Sequence, residues 1–225
     1  MTVARTRIKF CGITRADDAR EAVDLGVDAV GLVLTRRSRR CVDLDTARRI
    51  RRALPPFVAA IALFMDDEVA FIAEAVATVA PDALQFHGGE AAADCVRYGR
   101  PYLKAIGMAA GPGVAEPADS RWRGLVAAHP AAAGFVLDGH APGAPGGSGQ
   151  RFDWSGARGF DRPLILAGGL TAGNVGDAVR AAHPYAVDVA SGIEASAGIK
   201  DPDKMRRFIA AVRAADEDER VGSAS

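Results

Sequence analysis

The feature of this sequence that most constrains its fold is a repeat in which a short apolar segment is followed by an amphipathic segment. Several of the apolar segments lack alternation, which is typical of strands buried on both faces of a parallel sheet. Apolar residues three and four positions apart follow most of them and indicate helices. The repeat therefore predicts an α/β fold with eight strands, at residues 8–11, 28–34, 57–64, 83–86, 102–106, 134–137, 164–167 and 186–189.

The length of the chain bears on how these eight strands are arranged. Eight units leave roughly 27 residues for each, which is compact for a (β/α)8 barrel, a fold that needs at least about 200 residues. An open doubly wound sheet produces the same alternation. Because no linker or change of composition divides the strands, we expect a single (β/α)8 TIM barrel of minimal size over residues 1–215. Residues 216–225 are polar and rich in small residues, and we expect a frayed tail there.

The helix boundaries follow from capping residues. Gly26 is placed just past the end of the first helix, and Pro202 at the first position of the last one. Two further helices are expected at 90–98 and 113–128. Polar N-caps are predicted to begin four of the helices, and they are Thr14, Asp43, Asp66 with Asp67, and Asp201.

Composition and charge argue against several classes of function. The chain has 28 basic and 28 acidic residues, whereas proteins that hold nucleic acid through its phosphates usually carry a basic excess. Its three cysteines, Cys11, Cys41 and Cys95, are widely spaced, which argues against a disulfide framework or a zinc site. The first ten residues lack an apolar leader, and no 18 apolar residues run together. We therefore expect no metal, no nucleic-acid partner, no membrane partner and a reducing cytoplasm.

Chemically useful side chains stand at the carboxyl ends of the predicted strands, where barrel enzymes carry their active sites. They are Cys11, His87, Asp138 and Asp188. Taken alone, Cys11 fits an inert buried thiol, Asp138 a helix cap or solvated charge, and His87 a histidine bonded to the backbone. Because Cys11 and Asp138 share one edge of the barrel, they nevertheless predict an acid–base pair.

Glycine is over-represented, and the positions of several glycines suggest a functional reason. The chain has 25 glycines in 225 residues, about 11% against an average of roughly 7%. Glycine pairs at 88–89, 146–147 and 168–169 follow predicted strands. Gly168 and Gly169 after the seventh strand, with Ser191 and Gly192 after the eighth, occupy the positions of the common barrel phosphate site. Glycine lets backbone N–H groups approach an anion, although such pairs also form simple tight turns.

Four arginines lie within residues 36–40. No aromatic residues are interleaved and the chain is neutral, so a solvated loop is favoured over a nucleic-acid patch. A third interpretation is that one arginine grips a substrate carboxylate through bidentate hydrogen bonds.

Segments in order from the first strand to the eighth match one known family. They are KFCGIT at 9–14, SRR at 38–40, QFHG at 85–88, LD at 137–138, GGSG at 146–149 with FDW at 152–154, LAGGL at 166–170 with NV at 174–175, and DVASGIE at 188–194. On these residues the chain resembles phosphoribosylanthranilate isomerase, a barrel enzyme of tryptophan biosynthesis. The resemblance covers nearly the whole chain, and the ordered set is far more specific than any single segment.

The resemblance implies an Amadori rearrangement of N-(5-phosphoribosyl)anthranilate to 1-(2-carboxyphenylamino)-1-deoxyribulose 5-phosphate, the third step from chorismate. Asp138 would be the general acid that opens the furanose ring, and Cys11 the general base that takes the proton from C2. No metal or organic cofactor is implied, because the imine formed on ring opening is the electron sink. The phosphosugar is the expected partner, and a monomer is favoured over a homodimer.

The resemblance also assigns substrate contacts. Arg40 would bind the anthranilate carboxylate, Asp188 the sugar, and His87 another part of the substrate. The phosphate would be held by Gly168, Gly169, Ser191 and Gly192.

The chain departs from the family pattern without losing a proposed catalytic group. Arg39 and Arg36 stand where prolines are usual, Phe86 where leucine is usual, and residues 172–173 lack the usual Pro-Glu. Two other functions fit a phosphosugar-binding barrel. The aminoaldose isomerase of histidine synthesis generally relies on two aspartates, so Cys11 disfavours it. A non-catalytic barrel would have lost an acid or a base, and this chain keeps both.

Overall fold

The computed structural model describes residues 5–108, 118–139, 154 and 161–222. Eight parallel strands form a closed barrel in which each strand pairs with the next along the chain. The first strand pairs with both the second and the eighth, so the (β/α)8 barrel is confirmed and the open doubly wound sheet is wrong. The strands are β1 Arg7–Cys11, β2 Ala29–Val33, β3 Ala59–Phe64, β4 Ala83–Phe86, β5 Tyr102–Gly107, β6 Gly134–Asp138, β7 Leu164–Leu166 and β8 Ala186–Val189.

Helices surround the barrel, and a short hairpin follows β8. The hairpin consists of a 3-10 turn at Ser191–Ile193 and two antiparallel strands, β9 Glu194–Ser196 and β10 Ile199–Lys200. In the described ranges no helix has both the length and the apolar character needed to cross a membrane. The helices are α1 Ala16–Asp24, α2 Leu44–Arg52, α3 Val69–Val79, α4 Ala92–Val96, α5 Ala118–Ala128, α6 Val175–Ala182 and α7 Pro202–Gly222.

Alternation along the strands divides the core into two layers. Aromatic and branched residues such as Phe10 and Phe135 point outward and pack in the large cluster beneath the helices. Small and branched residues such as Val136 and Ala186 point inward and form a separate cluster inside the barrel. The same alternation points Cys11 of β1 inward, because it lies one residue beyond the outward-facing Phe10. The pattern of the strands thus decides which side chains reach the interior.

Two of the predicted caps are confirmed. The Asp43 carboxylate accepts a hydrogen bond from Thr46 N at 2.7 Å. The Asp201 carboxylate accepts from the backbone N of residues 203 and 204, just before Pro202 opens α7. Gly26 has a φ of +84° directly after α1, as the C-terminal prediction required.

The other predicted caps, Thr14 and Asp66 with Asp67, are wrong, because their side chains bind loop atoms instead of the first turn of a helix. Thr14 lies two residues before α1, and its hydroxyl donates to the carbonyl of Gly198 in the hairpin. Asp66 accepts a hydrogen bond from Gly89 N at 2.6 Å, and α3 begins only at Val69.

Two helix boundaries also differ from the prediction. Helix α4 is shorter than the expected 90–98, since the Glu90 carboxylate binds Asp66 N and Lys104 instead of starting the helix. The first five residues of the expected 113–128 helix lie outside the described residues.

The expected frayed tail is wrong as far as Gly222, because α7 continues to that residue. Asp216 is buried, and it accepts hydrogen bonds from Thr6 N and, at 2.6 Å, from the Thr6 hydroxyl. Arg213 donates to the carbonyl of Thr6 at 2.8 Å. A polar segment is therefore ordered here, since its charged side chain has buried partners on the segment that leads into β1. Residues 223–225 lie outside the described part of the chain.

Candidate active site

The carboxyl ends of the strands surround a cavity that is open to solvent. The cavity is lined by eight of the nine predicted site residues, and Gly192 follows Ser191 in the 3-10 turn at its rim. Those eight are Cys11, Arg40, His87, Asp138, Gly168, Gly169, Asp188 and Ser191. Residues separated by as much as 180 positions in the chain are thus gathered by closure of the barrel.

Cys11 ends β1 beside a buried ion pair. Lys9 Nζ lies 2.7 Å from Asp188 Oδ2, and the register of β1 and β8 places these two residues side by side. Burial raises the pKa of the Cys11 thiol, while the charges of Lys9 and Lys200 oppose that rise. Burial also opposes the charged form of Lys9, but the charges of Asp188 and Cys11 keep the Lys9 pKa raised. Sequence reasoning missed Lys9, although its place two residues before Cys11 gives both the same inward direction.

Asp138 ends β6 and is buried at the same level of the barrel as Asp188. Burial is the main cause that raises the pKa of Asp188, and the charge of Asp138 raises it further. The loop after β7 passes very close to it. A Cβ atom on Gly168 would come within 2.7 Å of Asp138 Oδ1 and 2.3 Å of the backbone N of Gly139. Gly168 also has a φ of +80°, so only glycine fits here on both counts.

Arg40 belongs to a cluster with Glu194 and Lys200. Arg40 Nε and Nη2 donate to the two Glu194 carboxylate oxygens at 2.7 and 2.8 Å. Lys200 Nζ donates to Glu194 Oε1 at 2.9 Å and to the Cys11 carbonyl at 2.7 Å. The Arg40 stem crosses Gly12, where a Cβ atom would lie 2.4 Å from its Cδ.

Glu194 ends one of the segments that match the family, but the sequence analysis gave it no role. Lys200 lies outside the matched segments, and sequence reasoning missed it. Two cations and one anion leave this cluster with a formal charge of +1, which suits a second carboxylate.

The two predicted phosphate loops contact each other. Gly168 and Gly169 both have positive φ, and a Cβ atom on Gly192 would lie 1.9 Å from the carbonyl oxygen of Leu170. Asn174 braces the first loop, because its Nδ2 donates to Gly169 O and its Oδ1 accepts from the backbone N of residue 171. The missing Pro-Glu at 172–173 therefore leaves this brace intact.

Gln85 on β4 and His87, the residue directly after β4, both line the cavity. The side-chain Nε2 atoms of the two residues are in contact, and the His87 backbone N donates to Phe64 O. Gln85 is fully buried, and sequence reasoning missed it. Its Oε1 has no hydrogen-bond partner within the described part of the protein.

The other predicted features are the arginine-rich loop, which reaches the cavity, and two matched segments that lie outside the described residues. Arg37 lines the cavity and lies 3.7 Å from Asp66. The matched segments at 146–149 and 152–153 fall outside the described residues. Among the ranges that are described, no group of three or more His, Cys, Asp or Glu residues is placed to hold a metal ion.

Comparison with known proteins identifies the family. The model of the N-(5'phosphoribosyl)anthranilate (PRA) isomerase family matches residues 8–211. The chain belongs to the PRA isomerase family. The N-(5'-phosphoribosyl)anthranilate isomerase of Pseudomonas paraeruginosa is 50% identical over 214 residues, which cover 95% of this chain and 98% of that protein. Both the family and the isomerase activity predicted from the motifs are confirmed, and the chain is a PRA isomerase of tryptophan biosynthesis.

Solved structures agree with this assignment. The phosphoribosyl anthranilate isomerase of Thermotoga maritima has a TM-score of 0.82 and 34% identity, over 93% of this chain and 99% of that one. A phosphoribosyl anthranilate isomerase in complex with reduced 1-(o-carboxyphenylamino)-1-deoxyribulose 5-phosphate has a TM-score of 0.78 and 33% identity, with the same coverage. The PRA isomerase barrel is thus shared along nearly the whole chain.

Proposed function

We propose that this PRA isomerase performs the Amadori rearrangement with Asp138 as general acid and Cys11 as general base. One observation carries the proposal. A buried thiol and a buried carboxylate, on β1 and β6, line the same cavity as Arg40 and as residues 168, 169 and 191 of the two glycine loops. The cavity therefore combines proton-transfer groups with sites for both ends of an anionic substrate.

The chemistry assigns one proton transfer to each group. Asp138 protonates the furanose ring oxygen, the C1–O bond breaks, and the nitrogen lone pair forms a protonated Schiff base at C1. The Cys11 thiolate then removes the proton from C2, and the released electron pair forms a C1–C2 double bond as the imine nitrogen is neutralised. The resulting enolamine tautomerises to the ketone. Each proton transfer contributes typically 10²–10⁴-fold to the rate.

The substrate is proposed to be held at three points. The Arg40 cluster binds the anthranilate carboxylate, since its formal charge of +1 attracts a further anion. The backbone N–H groups at Gly168, Gly169, Ser191 and Gly192 bind the phosphate. Asp188 binds a sugar hydroxyl, because its Oδ1 is buried and lacks a hydrogen-bond partner in the part of the chain that the structure describes. His87, on the cavity wall, is proposed as a further substrate contact.

The test is a comparison of Cys11→Ser and Asp138→Asn with the wild type, measured by the loss of anthranilate fluorescence. We expect each substitution to lower kcat by about 10²–10⁴-fold and to change KM little, since both groups act in proton transfer. Cys95→Ala is the matched control, because Cys95 is a buried thiol outside the cavity. Wild-type kcat in either active-site variant would refute the assigned role.

The oligomeric state and the compartment stay predictions. We propose a monomer, for which light scattering would give the chain mass of 23.4 kDa rather than twice that value. We propose the cytoplasm as the compartment, with the free thiols of Cys11, Cys41 and Cys95 as support. Cell fractionation tests it.

A further inference from the structure

A buried ion pair inside the barrel has no part in the acid–base scheme. The Lys9 and Asp188 side chains are only 5% and 6% exposed, and they meet at 2.7 Å. Removing two charges from water costs so much that an apolar pair of similar volume often stabilises a protein as well or better. Stability alone therefore gives a weak reason for a lysine at this point of β1.

The pair lies beside the sulfur of Cys11. Lys9 and Cys11 are two residues apart on β1, so both side chains point into the barrel. The positive charge of Lys9 opposes the rise that burial causes in the pKa of the Cys11 thiol. On the neighbouring strand, a Cβ atom on Gly31 would lie 2.8 Å from Cys11 Sγ and 3.2 Å from Lys9 Cε. The lysine stem and the sulfur thus share a space that only glycine leaves open.

We propose that Lys9 is a positioning residue that holds a positive charge against the Cys11 sulfur and favours its thiolate, while Asp188 limits this effect by sharing the ammonium. The inference rests on the proposed role of Cys11 as general base. It gives the buried ion pair a purpose that packing does not supply, and it makes Asp188 a regulator of the base as well as a sugar contact.

Other charged and titratable groups also face Cys11, and they come from five other elements. Lys200 reaches the Cys11 carbonyl oxygen at 2.7 Å, and it also binds Glu194. Arg40 is held by both oxygens of the same glutamate, which offsets its charge. The groups facing Cys11 are Lys9 on β1, Asp188 on β8, Asp138 on β6, Lys200 on β10, His87 after β4 and Arg40 after β2. Lys9 differs from the other two cations because it lies two residues from Cys11 on the same strand and because its ammonium binds Asp188 instead of Glu194.

The proposal makes predictions of opposite sign for the two members of the pair. Lys9→Met removes a cation from the thiol, so the thiolate forms at higher pH. Asp188→Asn keeps the shape but removes an anion, so the thiolate forms at lower pH. A charge within about 4–6 Å shifts a pKa by about 1–3 units, which corresponds to at least a tenfold change in thiolate fraction. A packing role for the pair would not reverse the sign between the two variants.

The measurement is the pH dependence of Cys11 alkylation by iodoacetamide in a Cys41→Ser/Cys95→Ala background, with mass spectrometry to locate the adduct. Below the wild-type midpoint, we expect alkylation at least tenfold slower in Lys9→Met and at least tenfold faster in Asp188→Asn. Lys9→Arg, which keeps the cation, serves as the conservative control and should restore most of the rate. If Lys9→Met unfolds, the Lys9→Met/Asp188→Asn double variant, with no unpaired charge, should show the two shifts largely cancelled.

A kinetic arm separates this proposal from the role of Cys11. We expect Lys9→Met to lower kcat at least tenfold with little change in KM, and Lys9→Arg to recover part of it. Shifted alkylation profiles with an unchanged kcat would support the action of Lys9 on the thiol and refute Cys11 as the base. Unshifted profiles, in variants that fold and with Cys11→Ser still inactive, would overturn the proposal and leave the base in place.

Discussion

Replacing Glu194 by alanine tests the charged cluster that holds Arg40 at the cavity. Glu194 accepts hydrogen bonds from Arg40 at 2.7 and 2.8 Å and from Lys200 at 2.9 Å. The Lys200 side chain is 0% exposed and that of Arg40 is 14% exposed. Removing one member of a buried ion pair costs about 3–5 kcal/mol, because the remaining charge is left unpaired. In a chain of this length 1 kcal/mol shifts Tm by about 2–4 °C, so we expect a loss of roughly 6–20 °C.

The assay is thermal unfolding followed by circular dichroism at neutral pH, supported by urea titration. Glu194→Gln keeps the shape and one acceptor, so it should cost less than Glu194→Ala. Lys200→Met should cost less in the Glu194→Ala background than in the wild type, because the lysine has then already lost its carboxylate. A Tm loss below about 2 °C for Glu194→Ala, or strictly additive losses in the double variant, would show that the cluster does not carry this energy.

The same cluster makes the stability depend on pH. Burial opposes the charged form of Glu194, but hydrogen bonds from Arg40 and the charge of Lys200 hold its pKa below the ordinary value of 4.5. A carboxylate with a lowered folded-state pKa stabilises the protein above its unfolded-state pKa. The contribution of Glu194 is therefore present above about pH 4.5, and it is lost as the pH falls through the lower folded-state value.

Three further predictions concern the termini, a buried histidine and the phosphate loops. Asp216→Ala should cost about 1–3 kcal/mol in urea unfolding, because the buried Thr6 donors lose their acceptor. Burial lowers the pKa of His129, so the unfolded chain binds its proton more readily. The urea midpoint of the wild type should therefore fall as the pH drops below about 6.5. The midpoint of His129→Gln should fall less over the same pH range, and an equal fall in the two proteins would contradict the prediction. Gly192→Ala should weaken competitive inhibition by inorganic phosphate at least tenfold, since its Cβ would lie 1.9 Å from a carbonyl oxygen. Gly173→Ala, with no atom nearer than 3.8 Å, is the control, and equal inhibition of both variants would remove the phosphate from these loops.

Much of the fold could be predicted from local patterns. The apolar segments located all eight strands to within about two residues, because burial on both faces leaves a continuous hydrophobic run. Asp43 and Asp201 were recognised as caps since a cap acts only on the next three residues of its own chain. The same criterion wrongly predicted Thr14 and Asp66 as caps. Their side chains bind loops that are distant in sequence, and no local pattern contains that information.

In the candidate site, too, local sequence predicted some features and only the tertiary structure decided others. The sequence by itself determined which residues stand at the ends of the strands, and strand alternation points Cys11 and Asp138 into the barrel. Only the tertiary structure decided the partners of these residues. Lys9 meets Asp188 across 179 positions, and Arg40 meets Glu194 across 154. The physical reason is that strand alternation and capping are local properties of the chain, whereas ion pairs of this kind exist only once the barrel has closed.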